Sequence, residues 1–139
     1  IFDSWGGMLS PAMYDEFSLP YMERITKAVK DLVPVILFAK GAWYALDKLH
    51  ATGASALGLS WTTSPDYARK VCGADAILQG NLDPTTLLAL PDVVAKATKK
   101  MIDSFGGRNH IVNLGHGVLP TTSVDSAKAF VETAKAYRY

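Results

Sequence analysis

Short apolar runs alternate along the chain with longer segments in which apolar residues recur at helical spacing. The runs are apolar almost throughout rather than every second residue, which is typical of strands in a parallel sheet. We predict five such strands, at residues 1–2, 33–39, 56–61, 76–79 and 110–114. The last of them, together with the residues up to Pro120, is the segment around which the chain is organised, and we expect it to be buried on both faces.

Helices are predicted between these strands. Ser10, Ser18, Ser64 and Ser123 each have the position of an N-cap, with proline close behind the first three, and further helices are predicted over residues 42–52 and 91–105. Helical spacing also predicts the buried faces. The expected inward residues include Tyr21, Ile25, Ala28, Val29 and Leu32 in the second helix, Val93 and Val94 in the fifth, and Phe130 and Val131 in the last.

Strands separated by helices indicate an α/β fold with a parallel sheet. A doubly wound sheet and part of a barrel both fit this pattern, and the spacing does not separate them. A complete (β/α)8 barrel needs roughly 200 residues or more, so this chain has room for only about five of the eight units. In either architecture, ligands bind at the carboxyl ends of the strands.

Polar side chains follow nearly every predicted strand, and we expect them to meet at one rim of the sheet. They are Asp3, Ser4, Lys40, Ser60, Gln79, Asn81, Asp83 and His116, with Trp61 beside them. The motif GHG presents His116 between Gly115 and Gly117, which would let a ligand approach both the backbone and the imidazole. A histidine suits an acid, a base or a carboxylate-binding group, although a tight turn with a hydrogen-bonded histidine fits equally.

The other candidates each have two interpretations. Ser4 lies outside a GxSxG motif, which favours a hydrogen-bonding role over a nucleophile. Lys40 fits a substrate carboxylate or a salt bridge to a neighbouring strand end. Gln79 and Asn81 fit either ligand contacts or hydrogen bonds to loop amides, and Asp83 before Pro84 fits a cap of the following turn.

Composition narrows the classes of function. The 139 residues carry a net charge of only +1, which gives no electrostatic reason to expect nucleic acid or an anionic membrane as a partner. No apolar run approaches the ~20 residues of a membrane span. The single Cys72 forms neither an internal disulfide nor a thiolate zinc site, and we expect a reducing compartment. The chain begins at Ile1, inside a predicted strand, and is interpreted as part of a longer protein.

Five segments together resemble the uroporphyrinogen decarboxylase family of haem and chlorophyll biosynthesis. They occur in the family's order and with similar spacing over nearly the whole chain. The segments are FDSWGG at residues 2–7, FSLPY at 17–21, PVILFAKG at 34–41, LQGNLDP at 78–84 and NLGHGVLP at 113–120.

The resemblance implies that residues 1–139 form one partial domain, the C-terminal portion of a (β/α)8 TIM barrel with strands four to eight. It implies an enzyme that removes the four acetate carboxyl groups of uroporphyrinogen III and gives coproporphyrinogen III, without a metal or an organic cofactor. Ser4 matches the family's active-site serine in FDSxxG, and His116 matches its active-site histidine in NLGHG. We expect Lys40, Gln79 and Asn81 to contribute to substrate binding.

The chain also departs from the family. Ser60 stands where aspartate is usual, and the family's arginine-bearing segment, pyrrole-binding aspartate and tyrosine belong to an N-terminal part that this sequence lacks. We therefore expect the chain alone to be inactive, to expose apolar sheet edges and helix faces, and to form a homodimer or associate with that N-terminal part. The expected location is the cytoplasm, or a plastid in a photosynthetic eukaryote.

Three alternatives remain at this stage. One is a related barrel methyltransferase that uses zinc, a class that needs a His/Cys ligand set. A second is a non-catalytic fragment that binds porphyrinogen weakly or only assembles. The third is a phosphate-binding barrel, since the loops after the last strands of such folds often bind phosphate.

Overall fold

The computed structural model describes residues 1–138. It contains one parallel sheet of five strands, which lie side by side in chain order. Right-handed crossovers between sequential neighbours place every helix on the same face of such a sheet. The strands are β1 (Phe2–Asp3), β2 (Ile36–Ala39), β3 (Ala56–Gly58), β4 (Leu78–Leu82) and β5 (His110–Leu114). The helices are α1 (Pro11–Phe17), α2 (Leu19–Val29), α3 (Leu46–Ala51), α4 (Pro65–Cys72), α5 (Pro91–Ser104) and α6 (Val124–Ala136). This is the architecture of a partial (β/α)8 barrel.

The register divides the sheet into a helix-covered face and an open face. Leu57 pairs with both Leu37 and Leu78, and these three side chains are buried under the helices. One position along, Phe2 pairs with Phe38, Phe38 with Gly58, Gly58 with Gln79, and Gln79 with Ile111. Because side chains alternate between faces along a strand, this second row lines the open face, which corresponds to the inside of a barrel.

The predicted order of elements is confirmed, with shifts at several boundaries. β5 has the predicted bounds, whereas β3 ends at Gly58 rather than at Trp61, and β4 extends to Leu82. The predicted helix 42–52 is divided into a 3-10 turn, Trp43–Ala45, and α3. The polar residues after β3 therefore belong to a turn, which bends the chain at the rim.

All four predicted serines lie at the N-cap positions of their helices, and three of them make the side-chain capping bond. The hydroxyl oxygens of Ser10, Ser64 and Ser123 accept hydrogen bonds from backbone N–H groups three residues further on. Ser18 makes no such bond. Its hydroxyl instead donates to Asp3 Oδ2 at 2.5 Å, so this serine connects the start of α2 to the loop after β1.

The predicted inward face of α2 is wrong except at Val29, which is partly buried and packs against the core. Tyr21 is 51% exposed, and Ile25 and Leu32 are exposed as well, whereas Met22 and Thr26 are buried. The helix carries apolar residues on two sides, and the side with Met22 packs against the core. Spacing alone does not identify which of the two apolar sides packs against the sheet.

Smaller errors of the same kind occur at α5, α6 and β5. Val93 and Val131 are exposed, while Ser126 is buried and its hydroxyl donates to the Ala89 carbonyl at 2.8 Å. The expectation that β5 is buried on both faces is also wrong, because Ile111 on the open face is 42% exposed. None of the helices within residues 1–138 combines the length and the hydropathy of a membrane-spanning segment.

Candidate active site at the carboxyl ends of the strands

A cavity of about 310 Å³ lies on the open face, at the carboxyl ends of the strands. Three of the predicted site residues line it, Ser4, Gln79 and His116. Lys40 lies in a neighbouring cavity of about 170 Å³, and Ser4 lines both cavities. Asn81 lines neither of the two.

The floor of the larger cavity follows from the strand register. Phe2 and Phe38 lie opposite each other on β1 and β2, and their rings meet edge to face with centroids 5.9 Å apart. On the next strand, Gly58 faces Phe38, and a Cβ at Gly58 would lie 3.0 Å from Cβ of Phe38. The missing side chain leaves room for the phenyl ring, so the floor is mainly aromatic, with the Gln79 amide at its side.

His116 is held at the mouth of this cavity between two aromatic rings. Its imidazole centroid is 6.3 Å from that of Phe38 and 6.1 Å from that of Trp61, the latter at an angle of 78°. The side chain is exposed, and we find no hydrogen bond of the imidazole with any other residue in 1–138. A turn histidine bonded to a nearby carbonyl, the alternative reading of the motif, is therefore not what this structure contains.

The glycines on either side of His116 serve different purposes. A Cβ at Gly115 would lie 2.3 Å from the backbone nitrogen of Trp61, so this glycine is required by contact with the protein's own main chain. Its N–H donates to the Leu82 carbonyl at 2.8 Å. Gly117 has open space where its Cβ would be. The prediction that both glycines admit a ligand is therefore wrong for Gly115.

The loop that carries Ser4 is anchored on two sides. The Asp3 carboxylate accepts a hydrogen bond from the Trp5 N–H at 3.2 Å and from the Ser18 hydroxyl. The Gly7 N–H donates to the Lys40 carbonyl at 2.9 Å, and a Cβ at Gly7 would lie 2.5 Å from that oxygen. The exposed Ser4 side chain is therefore presented from a fixed backbone.

Two tyrosines support this loop. The Tyr44 hydroxyl donates toward the carbonyls of Leu9 at 2.7 Å and Gly6 at 3.2 Å, and its ring meets that of Tyr14 edge to face. Burial raises the pKa of Tyr14 to about 12, and burial together with the Asp3 carboxylate raises the pKa of Tyr44. Both phenols stay protonated near neutral pH, which suits a supporting role better than proton transfer.

The Lys40 ammonium has an aromatic neighbour rather than an acidic one. Nζ lies 5.9 Å from the centre of the Trp61 ring, within the range of a cation–π contact. The ion pairs found among the described residues are Lys27–Glu23 and Lys48–Asp15, so the alternative of a salt bridge at Lys40 has no support here. This ammonium is available to an anionic ligand.

Asn81 has the loop-bonding role that its sequence position also allowed. The side chain is buried, and Nδ2 donates to the carbonyls of Ser60 at 3.0 Å and Thr63 at 2.7 Å. These two carbonyls mark the ends of the turn that contains Trp61. Asn81 thus fixes that turn, and its predicted substrate contact finds no support in the geometry. Asp83 likewise caps the 3-10 turn after β4, since its carboxylate accepts from the Thr85 N–H.

Sequence reasoning did not select Phe38 or Asn113, which also line the cavity. The signal that would have found them is the strict alternation of faces along β2 and β5. Using it requires the strand register, which the continuous apolar runs do not reveal.

The described part of the protein offers no set of side chains that could ligate a metal ion. Within residues 1–138, no three His, Cys, Asp or Glu side chains lie close enough together to hold a metal ion. Cys72 is buried at the end of α4, and burial raises the pKa of its thiol to about 11. The zinc methyltransferase alternative therefore lacks the ligands that it needs in the described residues.

Solved structures give a match for the fold. A methyltransferase from Methanosarcina mazei superposes with a TM-score of 0.82 at 21% sequence identity, over 97% of this chain and 40% of that protein. This likeness concerns the fold alone.

Sequence comparisons give the family. The family model described as uroporphyrinogen decarboxylase (URO-D) matches residues 1–137. The uroporphyrinogen decarboxylase of Flavobacterium johnsoniae is 51% identical over 137 residues, and that of Schizosaccharomyces pombe is 43% identical over 148 aligned residues. Each alignment covers 99% of this chain, which spans about 40% of the length of these curated relatives. The chain belongs to the uroporphyrinogen decarboxylase family.

Proposed function

We propose that this chain supplies part of the active site of a uroporphyrinogen decarboxylase, a carboxy-lyase that converts uroporphyrinogen III to coproporphyrinogen III. The observation that carries the proposal is the cavity at the strand ends, where Ser4 and His116 of the two family motifs lie over an aromatic floor. Fold and family membership are established independently of this proposal, which concerns the reaction and the residues that perform it.

The surfaces of the cavity match the chemistry of a tetrapyrrole. The pyrrole rings are apolar on their faces, which suits the rings of Phe2 and Phe38. The acetate and propionate arms are anionic at neutral pH and suit the Lys40 ammonium, the Ser4 hydroxyl and the Gln79 amide. A charged macrocycle is thus held by apolar contacts below and by polar groups at the rim.

The reaction needs proton transfer and no added electron carrier. Protonation of a pyrrole carbon beside an acetate arm creates a cationic ring. The bond between the arm's methylene carbon and its carboxylate then breaks, carbon dioxide leaves, and the electron pair neutralises the ring. Protonation of the resulting exocyclic methylene and loss of the ring proton give a methyl group, so each acetate arm takes up one proton and releases one carbon dioxide.

In this scheme His116 is the proton donor and acceptor at the mouth of the cavity. The imidazole is exposed and lies between Phe38 and Trp61, and among side chains it is well suited to proton exchange near neutral pH. Ser4, on its anchored loop, hydrogen-bonds the arm that reacts. Lys40 binds a neighbouring carboxylate and holds the macrocycle in register, while Asn81 contributes through the 60–63 turn.

The remaining catalytic groups would come from the part of the family's sequence that this chain does not cover. We propose that the chain alone turns over substrate poorly, and that it acts with that part, in a homodimer or in a longer polypeptide. A cytoplasmic or plastid location stays a prediction.

The test is anaerobic decarboxylation of uroporphyrinogen, with products separated by their number of carboxylates. The chain is assayed alone and after fusion to the segment of the Flavobacterium johnsoniae relative that it does not cover. We expect turnover only in the fusion. His116→Ala and Ser4→Ala should each reduce that turnover by tenfold or more, in keeping with the loss of a positioned proton-transfer group.

His50→Ala provides a matched control, because His50 is exposed in the last turn of α3, away from the cavity. The control should leave turnover unchanged. Full turnover by the chain alone, or a fusion that is indifferent to His116→Ala, would contradict the proposed roles.

A further inference from the structure

We infer that Trp61 is a positioning residue that fixes the Lys40 ammonium, in the smaller cavity, and the His116 imidazole, at the mouth of the larger one. The inference rests on the proposed function for the identity of the ligand, but its geometric basis is independent. The indole lies close to both side chains, with Lys40 Nζ 5.9 Å from its ring centre and the imidazole centroid at 6.1 Å.

Each of the two contacts is of a kind that aromatic rings favour. The negative face of an aromatic ring attracts an ammonium group, and tryptophan does so better than other aromatic residues. A ring at 78° makes the edge-to-face arrangement that aromatic pairs prefer. One indole therefore holds a cation and an imidazole at separate positions, and neither has an acidic partner among the described residues.

The main chain sets the position of this indole. Asn81 Nδ2 donates to the carbonyls at both ends of the turn that carries it, those of Ser60 and Thr63. The Thr63 N–H closes the same turn on the Ser60 carbonyl at 3.0 Å. The backbone of Trp61 is in contact with Gly115, the residue directly before His116. The turn after β3 and the loop after β5 therefore form one packed unit.

This arrangement has a consequence for ligand binding. Lysine has a long, flexible stem, and confining its ammonium in advance reduces the entropy lost when a carboxylate binds. Trp61 would thus strengthen binding of an anionic macrocycle through Lys40 and His116. Its role differs from that of a simple wall, because its effect depends on the presence of Lys40.

The geometric part is tested by NMR on the 139-residue chain. The ε-methylene protons of Lys40, which lie over the indole ring, should be shifted upfield, and the ring protons of His116 should carry a ring-current shift from the indole. Trp61→Leu should remove these shifts, Trp61→Phe should keep part of them, and Trp43→Phe, at an exposed tryptophan of the 3-10 turn before α3, should change neither. Unchanged Lys40 and His116 signals in Trp61→Leu would overturn the inference whatever the chain binds.

The functional part is tested with uroporphyrin, the stable oxidised macrocycle, titrated against the same variants by its absorbance. We expect Trp61→Leu to weaken binding about two- to fivefold, the effect of losing an exposed cation–π contact, and Trp61→Phe to recover most of it. In a Lys40→Met background, Trp61→Leu should add little, because the residue through which it acts is gone. Equal effects with and without Lys40 would contradict a positioning role.

The two hypotheses fail in different ways. Absence of uroporphyrin binding by the unaltered chain and by the fusion would count against the proposed function, while the NMR shifts would still decide the geometry. Binding that is unaffected by Trp61→Leu would leave the proposed function standing and reject Trp61 as a positioning residue.

Discussion

At the scale of the residue, the two glycines around His116 show how one residue type meets two different demands. Gly115 is buried against the backbone of Trp61, whereas Gly117 faces open space. A methyl group added at Gly115 has no flexible side-chain end to displace, because its nearest neighbours are the backbone nitrogen, Cα and Cβ of Trp61. The contact between the turn after β3 and the loop after β5 depends on that missing methyl group.

Gly115→Ala should therefore destabilise the chain by about 1–3 kcal/mol, the usual cost of overpacking a closed site. Gly117→Ala is the matched control and should change the free energy of unfolding by about 0.5 kcal/mol or less. Urea unfolding of the two variants measures the difference. Equal stabilities would mean that the loop and the turn move apart at little cost.

His110 is a second residue whose environment predicts a measurable effect. Its ring stacks on Phe105 with centroids 3.7 Å apart, and its Nε2–H donates to the Gly80 carbonyl at 2.6 Å. Nδ1 is buried and has no hydrogen-bond partner in the described part of the chain. Burial lowers the pKa of His110 below its ordinary value, so the folded state favours the neutral ring.

Protons then bind more readily to the unfolded chain. The contribution of His110 to stability is complete above the unfolded pKa of about 6.5 and is lost as the pH falls from there toward the lower folded pKa. Within that window, each pH unit should cost up to about 1.4 kcal/mol. Urea unfolding at pH 7.5 and 5.5 should show this loss, and it should shrink in His110→Gln but persist in His50→Gln, which alters an exposed histidine.

At the scale of the element, sequence reasoning predicted the order of strands and helices and four serine N-cap positions. It failed where one helix carries two apolar stripes, either of which could face the sheet. In α2, Tyr21 and Ile25 form as good an apolar stripe as Met22 and Val29, and the stripe that is buried is the one in contact with core residues from distant parts of the chain. Helical periodicity contains no information about such a contact.

Sequence reasoning also found some residues of the candidate site and misjudged others. Ser4, Gln79 and His116 were found because each lies at or just after the end of a predicted strand, and strand ends converge in parallel sheets. Asn81 met the same criterion, but its amide bonds to carbonyls 21 and 18 residues earlier in the chain. Which turn lies above β4 is a property of the folded sheet, so local sequence could not separate Asn81 from Gln79.

Arg69 joins elements at the opposite end of the sheet. Its guanidinium, at the last turn of α4, donates to the carbonyl of Arg108 at 2.7 Å and to that of Asn109 at 3.2 Å. The same group also bonds the carbonyls of Ala74 and Ala76 in the loop before β4. One planar donor group thus ties α4 to the beginnings of β4 and β5.

Arg69→Lys should cost roughly 1–3 kcal/mol in the free energy of unfolding, because a single ammonium cannot replace a fork of donors. The cavity lies at the other end of the strands. Uroporphyrin binding, measured under conditions in which the variant is fully folded, should therefore be retained. Arg24→Lys, on the exposed surface of α2, is the control and should be nearly neutral. Comparable losses in both variants would mean that the carbonyl contacts of Arg69 contribute little.

At the scale of the whole molecule, no helix or strand within residues 1–138 covers the open face of the sheet. Phe2, at 78% exposed, lies there together with Ile77 and Ile111, and β1 and β5 are the two edge strands. Exposed apolar patches and unpaired strand edges both promote association. The expectation that the chain exposes apolar sheet edges and helix faces is thus met, and the exposed residues Phe17, Tyr21 and Ile25 add a helical surface to it.

We predict that the isolated chain self-associates through the open face as its concentration rises and that it binds the dye ANS. Ile77→Thr combined with Ile111→Thr should lower both, since each change removes exposed apolar area while keeping a β-branched side chain that suits a strand. Val124→Thr is the matched control, because Val124 is exposed at the start of α6, outside the sheet. Sedimentation velocity over a concentration series measures the association. If Val124→Thr reduces self-association as much as the double variant does, the contact surface is not the open face. Fusion to the segment of a relative that this chain does not match should then leave self-association unchanged.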